Sequence, residues 1–540
     1  MNKLIFALLF LLTFSNVHAQ KTPGKPNIIL IVADDMGFSD IGAYGSEIQT
    51  PNLDKLAFGG LRLREFYNNS ICAPTRASLL TGQYPHSAGV GYFDVNLGLP
   101  AYQGFLNKHS LTIAEVLHQA GYSTLMAGKW HVGNDSTGWP NQRGFDQYYG
   151  VIGGGCNYFD AKPMPIGNGN YPVIIEENNK RLNPKPDSYY FTDEITNHAI
   201  TYLDAQDKTG KPFFLYVAYN APHWPLQALP EDIAKYKGRY DIGWDSLRQE
   251  RLNKQIELGI IDPKSKIAAK DSTIPSWDVM TYEEREFWKI RMEVYAAMVD
   301  RMDQGVGKIL DKLRQLKKDD NTLVVFISDN GGQGGSYEPY HMRPSRSTGP
   351  VGTSGSFEYV YKNWAYVSNT PFRSYKNNMH EGGISTPFIA WFPKQIKGGS
   401  IAQGTGHLID LAPTFYELAG AKYPDKSNGV ELNHLAGKSL TPLFAGAALK
   451  REEPIFWERA GNRAVRKGKW KIVSTYPEYK WELYDLEADR GETTDFAAKF
   501  PGVVNELSAA YADWAERTGV VDYSKLAPKA QAASSVRFKD

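Results

Sequence analysis

Asn27-Ile28-Ile29-Leu30-Ile31-Val32-Ala33-Asp34-Asp35 sets the five apolar residues Ile28 to Val32, followed by Ala33, between Pro26-Asn27 and a pair of acids. A strand with one solvated face alternates apolar and polar side chains. An unbroken run bounded by turn formers is the pattern of a central strand covered on both faces. Working outward, Thr50-Pro51 supplies an N-cap and a first helical position ahead of Leu53, Leu56 and Ala57. Ile113, Val116, Leu117 and Ala120 keep helical spacing, and Gly121 stops them. Further strands are expected at 124–127, 213–219, 323–327 and 387–392, with a long amphipathic helix through much of 282–316. Strands alternating with helices predict an α/β sheet.

Composition fits that expectation and excludes several functions. With 42% hydrophobic and 22% charged residues, the 540-residue chain can bury a sizeable core, and its length allows about three or four domains. A net charge of +1 gives no basic groove for nucleic acid and no surface held on anionic lipid. Lys3, the apolar run 4–14 and Val17-His18-Ala19 read as a signal peptide over 1–19, cut before Gln20. No later segment has the uninterrupted apolar length of a membrane span, so a soluble exported protein without a stable membrane anchor is expected. Cys72 and Cys156 are the only cysteines and allow one disulfide, if they lie close enough.

The residues just past each strand are more telling, because ligands of open α/β sheets bind beyond the carboxyl ends of the strands. The strand ends read ILIVADD, LMAGKWH, LYVAYNAPHWP and VVFISDNGG. Asp34, Asp35, Lys129, His131, His223, Asp329 and Asn330 would therefore share one edge. Taken singly, an Asp-Asp pair caps a turn, a His forms a structural hydrogen bond and a Lys is a solvated charge. Repetition at successive strand ends favours one convergent site. Three carboxylates and an amide oxygen are hard-ligand chemistry, suited to Ca²⁺ or Mg²⁺ rather than zinc; the looser coordination of Ca²⁺ matches better, although carboxylates alone do not decide.

Cys72-Ala73-Pro74-Thr75-Arg76, followed by Ala77-Ser78-Leu79-Leu80-Thr81-Gly82, resembles the signature of the type I, formylglycine-dependent sulfatases, arylsulfatase-like members of the alkaline phosphatase superfamily. The resemblance runs through Ala33-Asp34-Asp35, Gly128-Lys129-Trp130-His131, Ala221-Pro222-His223-Trp224-Pro225, Ser328-Asp329-Asn330-Gly331, and Pro371-Phe372-Arg373 with Lys376 before Glu381-Gly382-Gly383. No departure is seen at these positions. It implies an alkaline-phosphatase-like α/β sandwich with a large central mixed sheet and a smaller C-terminal α+β domain. The expected division is 1–19 signal peptide, 20–450 catalytic domain and 451–540 C-terminal subdomain, the last with strands at 454–457, 463–473 and 481–486, a helix at 503–517 and a loose tail from 527.

The resemblance also implies residue roles. Cys72 is a precursor, oxidised by a sulfatase-maturating enzyme to formylglycine, whose hydrated aldehyde supplies the nucleophilic oxygen. A sulfate carried on a geminal diol can then be expelled by collapse to the aldehyde. Asp34, Asp35, Asp329, Asn330 and the modified Cys72 are the implied metal ligands. Arg76 holds the hydrated aldehyde, and Lys129 and Lys376 bind sulfate oxygens. Asp329 is the base for the attacking hydroxyl, His131 takes the proton from the other hydroxyl, and His223 serves the departing alcohol, a role Lys376 can share. Cys156, within Gly153-Gly154-Gly155-Cys156, matches no catalytic element and reads as a small packed residue.

The substrate expected is a sulfated glycan, hydrolysed at a terminal sulfated sugar by a bacterial periplasmic or secreted enzyme. Small aryl sulfates, phosphonates or phosphate diesters would meet a closely related site, and a non-catalytic glycan binder is the remaining alternative. The stretch from Gly331 to Phe372 is too long for a simple connection. Its Tyr337, Tyr340, His341, Arg343 and Arg346 are expected to contact the sugar.

Overall fold

Strand Asn27–Ala33 is buried along all seven residues at the middle of a ten-stranded sheet. The computed structural model describes residues 24–166, 169–184, 189–335 and 346–537; the export signal expected over 1–19 and the loop residues Tyr337, Tyr340, His341 and Arg343 lie outside the described residues. Across the sheet the order is Ser400–Ala402, Leu61–Leu63, Phe388–Trp391, Thr322–Ser328, Asn27–Ala33, Phe213–Ala218, Ser123–Gly128, Gln147–Val151, Ile175–Glu177 and Lys180–Leu182. The run from Thr322–Ser328 to Gln147–Val151 is parallel, and antiparallel strands flank it.

Period-two geometry divides the central strand between two cores. Ile29 and Ile31 face one side with Val294, Met298 and Met302 of the long helix Tyr282–Gln315. Ile28, Leu30 and Val32 face the other with Ala73, Ala77 and Leu80 of helix Cys72–Thr81 and with Leu411 and Phe415. This double covering is why the strand carries no polar alternation. The long helix starts at a capping box, Thr281 with Glu284, satisfying two of its free backbone donors.

Several elements differ from the sequence reading. Thr50 precedes helix Pro51–Gly59 but makes no side-chain cap. Asp303 of the long helix accepts instead from the backbone of Asn52 and Leu53 at 3.1 and 2.8 Å. The 463–473 stretch is two strands, Asn462–Lys467 and Trp470–Ser474, because Gly468 turns the chain in the left-handed region. The tail after 527 continues helix Tyr523–Arg537, where Leu526 and Ala530, one helical turn apart, pack with Leu97, Ala101 and Tyr102. The 331–372 segment includes helix Tyr361–Ser368 rather than being loop throughout. Both cysteines are free, so the disulfide their number allowed does not form. Among the described residues no helix is long and apolar enough to cross a membrane.

A four-stranded antiparallel sheet, Ile455–Arg459 to Trp481–Asp485, occupies the C-terminal part. Helix Pro501–Thr518 covers one face through Leu507, Tyr511 and Trp514. The other face, with Trp457 and Val473, packs on Tyr67, Met379 and Ile384 beside the large sheet. Under this contact lies a buried ion cluster: Lys471 Nζ is 2.9 Å from both Glu381 and Glu492, and Arg490 is 3.0 Å from Glu381. Burial alone would raise Glu381, but Lys471 and the arginines outweigh it and hold its carboxyl down to about 2.

Lys471→Met should leave buried Glu492 without its cation and Glu381 with Arg490 alone, and lower unfolding stability by about 3–5 kcal/mol at neutral pH, measured by denaturant titration. The depressed folded pKa of Glu381 means its contribution is present above its ordinary range and lost as pH falls towards 2. The variant's deficit should therefore shrink in acid; a deficit independent of pH, or none, contradicts this account.

Candidate active site

Register brings the strand ends together. Ala33 pairs with Ser328, Val32 with Ala218 and Ala218 with Gly128, so the residues beyond them emerge along one edge. Asp34 and Asp35, Asp329 and Asn330, Lys129 and His131, and His223 all leave this edge and are buried. Two of them carry backbone cost: Asp35 and His131 are non-glycine residues at φ 63° and 59°. Close packing of the strands fixes Gly128, since a Cβ there would stand 1.9 Å from the Ala218 carbonyl oxygen.

Cys72 begins a ten-residue helix in which every residue is buried, and Gly82 ends it in the left-handed region. Its Sγ lies 3.5 Å from Asp34 Oδ1, 3.8 Å from Asp35 Oδ1 and 3.3 Å from Lys376 Nζ. Arg76, one turn along, donates to Asp329 Oδ2 at 2.9 Å and to the Tyr216 hydroxyl at 3.2 Å. Lys129 Nζ donates to Asp34 Oδ2 at 2.6 Å, and Lys376 Nζ to Asp35 Oδ1 at 2.5 Å. The Asp35 backbone N–H donates to Asp329 Oδ1 at 3.1 Å, and Asn330 Nδ2 to Asp35 Oδ1 at 2.7 Å.

The histidines stand apart from each other. His223 Nε2 is 3.6 Å from Asp35 Oδ2, while its Nδ1 is 2.6 Å from the Trp224 carbonyl oxygen. A carbonyl only accepts, so Nδ1 carries the proton and Nε2 faces the carboxylate. His131 Nε2 is 3.5 Å from Asp94, and its ring meets the edge of Phe93 at 5.0 Å. A Cβ on Gly154 would come within 2.7 Å of that ring, so the glycine makes room for it.

Burying this many charges together has electrostatic consequences. Burial, reinforced by Asp329, pushes the Cys72 thiol well above its ordinary value, the opposite of what a thiolate nucleophile needs. Burial, with Asp34 beside it, pushes Asp329 up to about 6. Burial opposes ionisation of Asp35, but the Lys376 ammonium prevails and holds it low. Burial holds both His131 and His223 down to about 3, so both rings are neutral at pH 7.

The carboxylate and amide oxygens gathered here suit a hard cation. Asp34, Asp35, Cys72 and His223 each place one ligand atom within 4.8 Å of the others. Asp35 Oδ2 and Asn330 Oδ1 are buried oxygens without a hydrogen-bond donor. Such orphaned acceptors are costly unless a cation or a ligand completes them.

All of the catalytic and metal candidates thus converge. Among the sugar-loop candidates only Arg346 is described, as an exposed residue at the end of its segment. Cys156 is buried in the apolar core with no partner thiol. Sequence reasoning missed Tyr216, which sits in an apolar strand and turns its hydroxyl to Arg76, and Asp94, which faces His131 from a segment without any motif.

Comparison with known proteins gives a consistent result. The Sulfatase family matches residues 26–421, and the C-terminal family of N-sulphoglucosamine sulphohydrolase matches residues 373–509. An uncharacterized sulfatase of Schizosaccharomyces pombe is 37% identical over 535 residues, covering 93% of this chain and 96% of the relative. The arylsulfatase of Klebsiella aerogenes is 35% identical over 463 residues, covering 84% and 97% respectively. Among solved structures, Ps i-CgsB aligns with TM-score 0.70 at 29% identity over 96% of this chain and 100% of that one, and is also known in complex with k-i-k-neocarrahexaose.

Chelation should lower the melting temperature by several degrees, and Ca²⁺ or Mg²⁺ should restore it while Na⁺ does not. Asn330→Ala should weaken the restoration. A melting temperature insensitive to chelator and to divalent ions would show that the orphaned oxygens do not hold a cation.

Proposed function

The chain belongs to the sulfatase family and is a sulfuric ester hydrolase, and we propose that it is an exo-acting carbohydrate sulfatase releasing inorganic sulfate from a terminal sulfated sugar. One observation carries the reading: Lys376, Asp34 and Asp35 stand within 3.8 Å of Cys72 Sγ, at the start of a helix that also presents Arg76.

In this reading a sulfatase-maturating enzyme has replaced the Cys72 thiol by an aldehyde, whose hydrate attacks the sulfate sulfur. Arg76 orients that hydrate, and Asp329, raised towards neutrality, accepts its proton. Lys129 and Lys376 exchange carboxylate contacts for sulfate oxygens, forming charge-assisted hydrogen bonds with the substrate. Asp34, Asp35, Asp329, Asn330 and the oxygen at residue 72 would hold a divalent cation, Ca²⁺ in preference to Mg²⁺, which offsets charge on the sulfate. An anionic sulfate oxygen beside His223 Nε2 favours the imidazolium that protonates the departing alcohol. His131, neutral at pH 7, is free to take the proton that lets residue 72 expel its sulfate.

A sugar substrate is supported by the oligosaccharide complex of Ps i-CgsB, and by the aromatic ring of Phe93 set against His131 at the edge of the site. We assign 20–450 to the catalytic domain and 451–540 to a C-terminal subdomain that covers one wall of the pocket. Export over 1–19, to a bacterial periplasm or beyond, completes the proposal.

Cys72→Ala should leave the melting temperature near that of the parent and abolish turnover. Peptide mass spectrometry of active protein should find an aldehyde at residue 72; a free thiol in fully active enzyme would contradict the mechanism. The substrate class is tested on the same preparation with matched sulfated sugars, an aryl sulfate and the corresponding phosphate esters.

His223→Ala should slow sugar sulfates by about 10²–10⁴-fold and activated aryl sulfates much less, because only a basic leaving alcohol needs the proton. Equal losses on both would remove His223 from that role.

A further inference from the structure

We propose that Arg459, with Tyr92 and Tyr523, forms a subsite for a second anionic group on the sulfated sugar, a carboxylate or another sulfate beside the ester being cleaved. The inference rests on the sulfatase reading and adds a recognition element that the sequence motifs do not contain.

Arg459 ends strand Ile455–Arg459 at the tip of a hairpin and pairs with Asn462. Ala460 and Gly461 between them lie at φ 52° and 83°, both left-handed, as a two-residue hairpin turn requires. The preceding Glu458 is fully committed. Its Oε1 accepts from the Gly461 backbone at 2.9 Å, and its Oε2 is 2.8 Å from His86 Nε2. Alternation along the strand sends Arg459 to the opposite face. The turn thus holds the arginine firmly while occupying the acid nearest to it in sequence.

Among the described residues the Arg459 guanidinium has no ion pair and no hydrogen bond, and its Nε is buried. It lies 5.6 Å from the centre of the Tyr92 ring. Tyr92 stacks on Tyr523 at 6.0 Å with the planes 24° apart, and Tyr476 meets Tyr523 edge-on at 5.2 Å. Tyr92 adjoins Phe93, which contacts His131, so this wall borders the reacting centre. Burial lowers the Arg459 pKa, and Tyr92, Tyr523 and Glu458 offset that only in part.

A partly buried guanidinium without a counter-ion is destabilising, and its planar fork suits the paired oxygens of a carboxylate or sulfate. The adjoining tyrosine rings offer apolar faces with polar tips, which suits a sugar. A substrate anion would supply the missing charge.

The test uses enzyme whose residue 72 is confirmed as formylglycine. Its substrates are three sugars sharing one scissile sulfate: one otherwise neutral, one with a neighbouring carboxylate and one with a second sulfate. The wild type should favour at least one anionic sugar in kcat/KM. Arg459→Gln should cut that preference about tenfold or more, and Arg459→Lys should restore part of it. The arm that responds identifies the anion. Should Arg459→Gln fail to fold, Tyr523→Ala, which leaves the hairpin intact, must show the same loss of preference. An unchanged preference in a folded variant, or a wild type indifferent to the second anion, overturns the proposal. Failure of the wild type on every sulfate ester, aryl sulfate included, removes the sulfatase reading and the subsite with it.

Discussion

Carboxylates cannot be packed together away from water unless cations are packed with them, and this constraint governs the centre of the molecule. Asp34, Asp35 and Asp329 are met by Lys129, Lys376 and Arg76. The partners arrive from different strand ends, one helix and one loop, so the charge balance closes only when the sheet, the helix Cys72–Thr81 and the Lys376 loop are all in place. Parallel register in the central strands is what makes their ends coincide. The same charges that a substrate and a cation would engage hold one another before either is present.

The fold was legible because buried parallel strands must be apolar throughout, and ILIV, FLYV and VVFI are written that way. The site was legible because its residues come directly after those strands. The features that escaped notice depend on contacts between distant segments. Asp303 caps a helix that begins some 250 residues earlier in the chain. Tyr216 looks apolar until Arg76 is placed beside its hydroxyl. Arg459 is an ordinary strand-end arginine until the hairpin turn and Tyr92 define its surroundings. The tail was misread because small alanines give a weak apolar signal, although alanine is the strongest helix former.

The C-terminal sheet is covered on both faces, by its own helix on one and by the region around Tyr67 and Met379 on the other. Glu381 lies five residues after Lys376 and is gripped by Lys471 and Arg490. Displacing the small sheet would therefore expose apolar surface and release the anchor of the loop that carries Lys376 to residue 72. The position of one catalytic candidate is tied to the integrity of a sheet that contributes none of the other motif residues.

Helix Cys72–Thr81 is buried on every side, and residue 72 is only 2% exposed. No second protein can grip a segment that the chain has already wrapped. Any enzyme that alters the Cys72 side chain must act while this stretch is still extended, so folding closes the interval in which it can work. Under the proposed maturation of residue 72, competence depends on a race between two clocks, and chains that collapse too quickly would be well folded, stable and inert.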